Sequence, residues 1–141
     1  MSDSSYFHNK REEMIPFIPN TCQKILEVGC GSGIFAKRIK NKLNAEVWGI
    51  EPDTASAEQA AAVLDKVIHG EVESNLHVMP KSYFDCIVFN DVLEHLTSPE
   101  VVLNQCKELL SENGCIVCSI PNVRYITNLI NLVVYKQWEY E

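Results

Sequence analysis

Apolar and polar positions change rhythm several times along the chain, and each change marks an element. Lys24 to Val28 is an apolar run of strand length, after which Ile34, Phe35, Ile39 and Leu43 recur at helical spacing. Val47 to Ile50 forms a second short strand, and Asp53 stands where its carboxylate caps an alanine-rich helix running to about Leu64. Val67-Ile68 reads as a weak third strand. Phe84 to Phe89 is almost unbroken in its apolar character, the pattern of a strand covered on both faces, and a loop follows over Asn90 to His95. Ser98-Pro99 supplies a capping hydroxyl and a proline at the first helical position. That helix runs to about Leu110, where Glu112-Asn113-Gly114 stops it. Cys115 to Ile120 is the fifth strand. Tyr6 to Phe17 reads as a leading helix ended by Pro16 and Pro19, and Val123 to Tyr135 as a trailing one with Ile126, Leu129, Ile130, Val133 and Val134 on one side.

Strands that alternate with helices imply parallel pairing through right-handed crossovers. The expected fold is α/β, a Rossmann-like doubly wound sheet, mostly parallel, of five strands. At 141 residues, one domain with a real core fits and two do not. Ligands of such sheets bind beyond the carboxyl ends of the strands, where strand order reverses. Four segments end there: the turn from Glu27 to Gly33, Glu51, Gly70-Glu71, and Asn90-Asp91.

Composition removes several function classes. Hydrophobic residues make up 46% and charged residues 22%, and no apolar run approaches the roughly 18 residues of a membrane span. The first residues are polar rather than a signal segment, which sets a cytoplasmic expectation. With a net charge of −7 and no dense Lys and Arg cluster, nucleic acid is a poor partner. Of the six cysteines, Cys30, Cys86, Cys115 and Cys118 fall in or beside predicted buried strands and read as small core residues. Cys115-x-x-Cys118 lies inside a strand and has no second pair to complete a tetrahedral site, so no metal is expected.

The chemistry is concentrated in Glu27-Val28-Gly29-Cys30-Gly31-Ser32-Gly33. The glycines let a ligand approach the backbone, and the next helix turns its free N–H groups toward the same space. Glu51 closes the second strand, where two carboxylate oxygens could take the two hydroxyls of a ribose. The G-x-G-x-G spacing departs from the dinucleotide pattern G-x-G-x-x-G/A, and Glu27 would repel a pyrophosphate while attracting a cationic amino group or a bound water.

Leu26-Glu27-Val28-Gly29-Cys30-Gly31-Ser32-Gly33, Gly49-Ile50-Glu51-Pro52, Phe84-Asp85-Cys86-Ile87-Val88 and Val92-Leu93-Glu94-His95-Leu96 resemble the successive motifs of class I S-adenosylmethionine-dependent methyltransferases. The resemblance runs from about Tyr6 to the end. Ile120-Pro121-Asn122-Val123-Arg124 is similar to a subgroup found near polysaccharide and glycosyl-transfer systems. The resemblance implies S-adenosylmethionine as cofactor and a small-molecule or sugar-linked methyl acceptor. It implies that Glu27, Gly29 and Gly31 surround the methionine part, with Cys30 and Gly33 of the same turn also cofactor-binding. Glu51 would hold the ribose, Pro52 and Glu71 would lie by the adenine, and Asn90, Asp91 and Val92 would line the sulfonium side. It also implies seven strands, the last two an antiparallel hairpin. Only about twenty residues follow the fifth strand, so the hairpin is expected to be missing and the chain to be a truncated or remnant domain.

Each residue also has a plainer role open to it. The glycine turn could be only a tight connection, Glu51 a solvated carboxylate, Glu71 an exposed helix-start acid, and Asp91 a cap on the turn after it. His95 is either a structural histidine or the general base that a hydroxyl acceptor would need. Asp91, Glu94 and His95 have ligand-type side chains, but one such triad does not establish a metal site. The strand Cys115 to Ile120 would be an open apolar edge, which favours a homodimer. Two other functions stay in view: a domain that binds the cofactor without turnover, and a nicotinamide-dependent oxidoreductase.

Overall fold

The computed structural model describes residues 11–121. Five parallel strands form one sheet: β1 (Lys24–Val28), β2 (Glu46–Glu51), β3 (Lys66–His69), β4 (Phe84–Asn90) and β5 (Leu110–Ser119), in the order β3-β2-β1-β4-β5. Between them run α1 (Ile34–Leu43), α2 (Thr54–Ala61), the single turn α3 (Val72–Asn75) and α4 (Pro99–Leu109). The chain winds outward from β1 through β2 to β3, returns to β4 on the other side of β1, and continues to β5. The expected doubly wound sheet is therefore what the chain builds, with its order reversing between β1 and β4.

Strand alternation divides the core into two layers. Ile25, Val47, Cys86 and Val88 pack with Phe35, Ala36 and Ile39 of α1 and Ala60 of α2 on one face. Leu26, Val28, Ile50, Ile87 and Phe89 pack with Val72 of α3 and Val102, Cys106 and Leu109 of α4 on the other. Helices on both faces leave no solvated side to β1 or β4, which explains the continuous apolar runs.

Below the site, Asp85 joins three segments. Its Oδ2 accepts from the amides of Gln23 (2.9 Å) and Lys24 (3.0 Å), and its Oδ1 accepts from the Ser111 hydroxyl (2.9 Å). Burial works against this charge, but the Gln23 amide, the Ser111 hydroxyl and the Lys24 amide outweigh it and hold the carboxyl below its ordinary value.

Several expectations need correction. The expected helix from Tyr6 is, over its described part, a 3-10 helix at Glu12–Phe17 with Pro16 inside it, because proline supplies no amide to an α-helical ladder. Residues 6–10 and the expected helix from Val123 lie outside the described residues. Glu112-Asn113-Gly114 does not stop α4, which ends at Leu109; β5 begins at once and carries those residues as an irregularity between the pairs Phe84↔Leu110 and Cys86↔Cys115. Asp53 caps α2 as expected, its carboxylate accepting from the Ser56 amide at 2.8 Å, whereas the Ser98 hydroxyl makes no capping bond to α4. Cys118 is exposed rather than core: it lies on the face of β5 opposite Cys115, the face on which Ile116 packs into the second layer, but on this edge strand the cover does not reach it. The same geometry keeps Cys115 and Cys118 from forming a pair.

Candidate functional site

A cavity of about 960 Å³ opens at the carboxyl ends of the strands, over the β1–β4 reversal. The order of inward and outward positions sets its inner wall. Glu27 lies two residues after Ile25 on β1 and Asn90 two after Val88 on β4, so both side chains emerge on the α1 face. They meet there: Asn90 Nδ2 donates to Glu27 Oε1 at 3.0 Å.

Glu27 is only 3% exposed, and among the described residues its second oxygen, Oε2, has no hydrogen-bond partner; the Asn90 carbonyl oxygen is likewise buried and unpartnered there. Burial pushes the Glu27 carboxyl up to about 8, against the opposing pull of Asn90 and of the Ala36 amide at the start of α1, with the nearby Glu51 charge pushing it further the same way. Two adjacent buried acceptors without donors are costly to leave so. They form a ready receptor for a cationic group with several N–H bonds.

The glycine turn follows β1 and is tied to β2 through the Gly29 and Cys30 amides, which both donate to the Ile50 carbonyl (2.8 and 3.1 Å). Gly29 has φ +70°, and a Cβ there would stand 2.6 Å from Val92 Cγ2. Gly31 has φ +54° with open space where its Cβ would be. Gly33 differs from both. It is absent from the cavity wall and packs α1 onto α2, with Val63 Cγ2 and Ala60 Cα at 3.1 and 3.2 Å from an added Cβ, so its smallness serves packing.

Glu51, 6% exposed, closes β2 with both oxygens engaged: Oε2 accepts from the Gly31 amide (2.7 Å) and Oε1 from the Asp53 amide (2.9 Å). Each keeps a second lone pair for a ligand hydroxyl. The carboxylate thus shapes the glycine turn as well as facing the cavity. Pro52 sits beside it on the rim, its carbonyl accepting from His69 Nε2 at 3.0 Å. Glu71 is an exposed residue at the mouth, next to Gly70, whose amide donates to the Glu51 carbonyl (2.9 Å).

Asp91 has φ +54° and does not cap the turn after it. One oxygen accepts from the Ser119 hydroxyl (2.7 Å), and the other pairs with the Arg11 guanidinium. Val92 fills the wall against Gly29. Arg11 is a residue that sequence reasoning missed; it comes from outside the sheet and carries no motif, so nothing local marks it. Leu96, Thr97, Ser98 and Val101, also missed, extend the cavity away from the glycine turn along the start of α4. His95 lies among them with its side chain 63% exposed. Glu94 is not in the lining; among the described residues neither of its oxygens has a hydrogen-bond partner, and Oε1 lies 3.8 Å from His95 Nε2. Glu94 and His95 lie side by side while Asp91 is engaged by Ser119 and Arg11, and among the described residues no three His, Cys, Asp or Glu side chains are arranged to hold a metal ion.

The wall carries five carboxylates (Glu27, Glu51, Glu71, Glu73 and Asp91) against one guanidinium and one imidazole. That balance suits a cation and opposes a pyrophosphate. A family profile described as a methyltransferase domain matches residues 6–141. The chain belongs to that methyltransferase family.

Within the family, the domain is 34% identical over 123 residues to the ubiquinone biosynthesis O-methyltransferase of Photobacterium profundum, a match covering 82% of this chain and 51% of that protein. It is 28% identical over 102 residues to the enzyme of the same name from Bradyrhizobium diazoefficiens, covering 70% of this chain and 40% of that one. The domain thus spans about half or less of these curated relatives. Among solved structures, a SAM-dependent methyltransferase from Archaeoglobus fulgidus superposes with a TM-score of 0.71 at 21% identity, covering 92% of this chain and 58% of that one. The plantazolicin methyltransferase BpumL in complex with SAH does so with 0.73 at 20%, covering 92% and 56%. At these identities the likeness shows the fold. The class to which this domain belongs uses S-adenosylmethionine as its cofactor. The residues present fit that group: unpartnered acceptors at Glu27 and Asn90, open space over Gly31, and a carboxylate-rich wall.

Proposed function

We propose that the domain binds S-adenosylmethionine in this cavity and transfers its methyl group to a small-molecule acceptor. The observation that carries the reading is the pair of unpartnered buried acceptors, Glu27 Oε2 and Asn90 Oδ1, at the reversal between β1 and β4. Glu27 and Asn90 would hold the ammonium group, and Glu51 the ribose hydroxyls beside the Gly31 amide. Pro52 and Glu71 would flank the adenine, and Asp91, fixed by Ser119, and Val92 would bound the sulfonium side. Cys30 and Gly29 would supply close-fitting backbone.

When bound, the cofactor supplies an already activated methyl group, so the protein's main work is to orient an acceptor and exclude water. Leu96, Thr97, Ser98 and Val101 offer a partly apolar surface for that acceptor. A hydroxyl acceptor has a proton to lose, and the names of the O-methyltransferase relatives favour oxygen. His95 stands on the same rim and would be the side chain to take that proton. Sugar-linked hydroxyls are included in this acceptor class on the strength of the segment from Ile120 to Arg124.

The test is calorimetric titration with S-adenosylmethionine and S-adenosylhomocysteine, followed by assay of S-adenosylhomocysteine release across a panel of phenolic and sugar-linked hydroxyl acceptors. Micromolar binding with acceptor-dependent release supports the reading. Binding without release from any acceptor favours a cofactor-binding domain without turnover, and absence of binding refutes the cavity assignment.

A further inference from the structure

The cavity contains one group whose charge state the fold leaves unresolved. Glu27 Oε1 accepts from Asn90, while Oε2 is buried and, among the described residues, has no hydrogen-bond partner and no cation paired with it. The groups facing it from each packed element do not supply one. Glu51 at the end of β2 is a second carboxylate, already satisfied by the Gly31 and Asp53 amides. From the glycine turn comes Cys30, whose thiol burial pushes far up and keeps neutral. From α1 comes only the Ala36 amide. Beyond β4, Asp91 takes up the Arg11 guanidinium, the one such group in the wall among the described residues, and His95 is turned outward on the rim.

We propose that Glu27 is protonated in the free protein and gives up its proton when the cofactor's ammonium group docks against Oε2, so that cofactor binding and proton release are a single event. This rests on the cavity being the S-adenosylmethionine site. The balance is simple: a neutral carboxylic acid and a ligand ammonium become a carboxylate–ammonium pair, and one proton passes to the buffer through the open side of the cavity. No covalent bond other than the O–H bond of Glu27 is broken. The neutral acid avoids an uncompensated buried charge in the empty cavity, and the ligand's own cation removes the reason for neutrality.

The experiment is titration of the full chain with S-adenosylhomocysteine in buffers of different ionisation enthalpy, which counts protons exchanged on binding. With the free carboxyl at about 8, the expected release is about 1 proton at pH 6 and about 0.9 at pH 7, a range in which the ligand's own amino group stays cationic. Apparent affinity should rise about fiftyfold between pH 6 and pH 8. Glu27→Gln, which mimics the neutral acid without a proton to lose, should bind without this release and with a flat response over the same range, its thermal unfolding confirming that it is folded. 5′-Methylthioadenosine, which lacks the amino-acid portion, should bind the wild type with no release. Binding of S-adenosylhomocysteine to the wild type at pH 7 without proton exchange, or equal release from Glu27→Gln, overturns the inference while leaving the site in place. Failure of all three ligands, S-adenosylmethionine, S-adenosylhomocysteine and methylthioadenosine, to bind overturns both.

Discussion

Replacing Glu27 by Gln should stabilise the ligand-free protein, and by an amount that depends on pH. The carboxyl ionises at 4.5 when unperturbed, and burial raises it to about 8 in the fold. Between these values the folded state keeps a proton that the unfolded state has lost. Folding is therefore penalised progressively as pH rises, by about 1.4 kcal/mol per unit, with no penalty below 4.5 and a constant one above 8. From pH 5 to pH 8 the wild type should lose about 3.5 kcal/mol through this group, a large part of a domain stability of roughly 5 to 15 kcal/mol. Glutamine keeps the shape, can still face Asn90 and does not titrate. The variant should match the wild type within about 1 kcal/mol at pH 5 and exceed it by about 4 kcal/mol at pH 8, in urea unfolding followed by far-UV circular dichroism. A stability difference that is the same at both pH values would refute the claim that Glu27 is buried without compensation.

Three other perturbations follow from the same geometry. Glu51→Ala removes a carboxylate facing the cavity and the acceptor that shapes the Gly31 turn, and should weaken S-adenosylhomocysteine binding at least tenfold, about 1.4 kcal/mol, by calorimetry; unchanged affinity in a folded variant would contradict the assigned geometry. Gly29→Ala combines a left-handed backbone with a contact at 2.6 Å to Val92 Cγ2 and should cost about 2 to 4 kcal/mol. Adding Val92→Ala should recover a measurable part, and a double-mutant cycle with no coupling would show that the collision is not the cause. Asp85→Ala strands two amides and a hydroxyl and should lower stability by about 2 to 4 kcal/mol at pH 7. Because that carboxyl is held below its ordinary value, its contribution is present at neutral pH and fades as pH falls through the folded value, so the gap should narrow on acidification.

Much of the sheet and of the inner wall was legible because period-two alternation is a local property. Once β1 and β4 are recognised as doubly covered strands, Glu27 and Asn90 are the polar residues at their ends. The glycine spacing likewise announces a turn, although it does not distinguish Gly31, which faces the cavity, from Gly33, which packs two helices. What escaped notice depends on contacts between distant segments. Arg11 reaches Asp91 across the cavity without a motif. Glu51 is shared between the ligand space and the Gly31 amide, a division that only the folded turn reveals. The Glu112-Asn113-Gly114 signal was real as a departure from helix, but a bulged strand satisfies it as well as a turn does. Cys118 was misjudged because an apolar run does not say which of its residues faces a neighbour.

The position of β1 at the centre of the sheet governs when the site comes into being. β1 pairs with β2 after about twenty residues, but its other edge waits for β4, with Ile25 opposite Cys86. Such distant pairings close late in folding and slow it. Glu27 and Asn90 straddle that seam, so the receptor exists only after the seam has closed. A cofactor bound there has little to grip in a transition state where the seam is still open. It should leave the folding rate nearly untouched and act as a lock on the finished domain, slowing unfolding in proportion to the occupancy it adds.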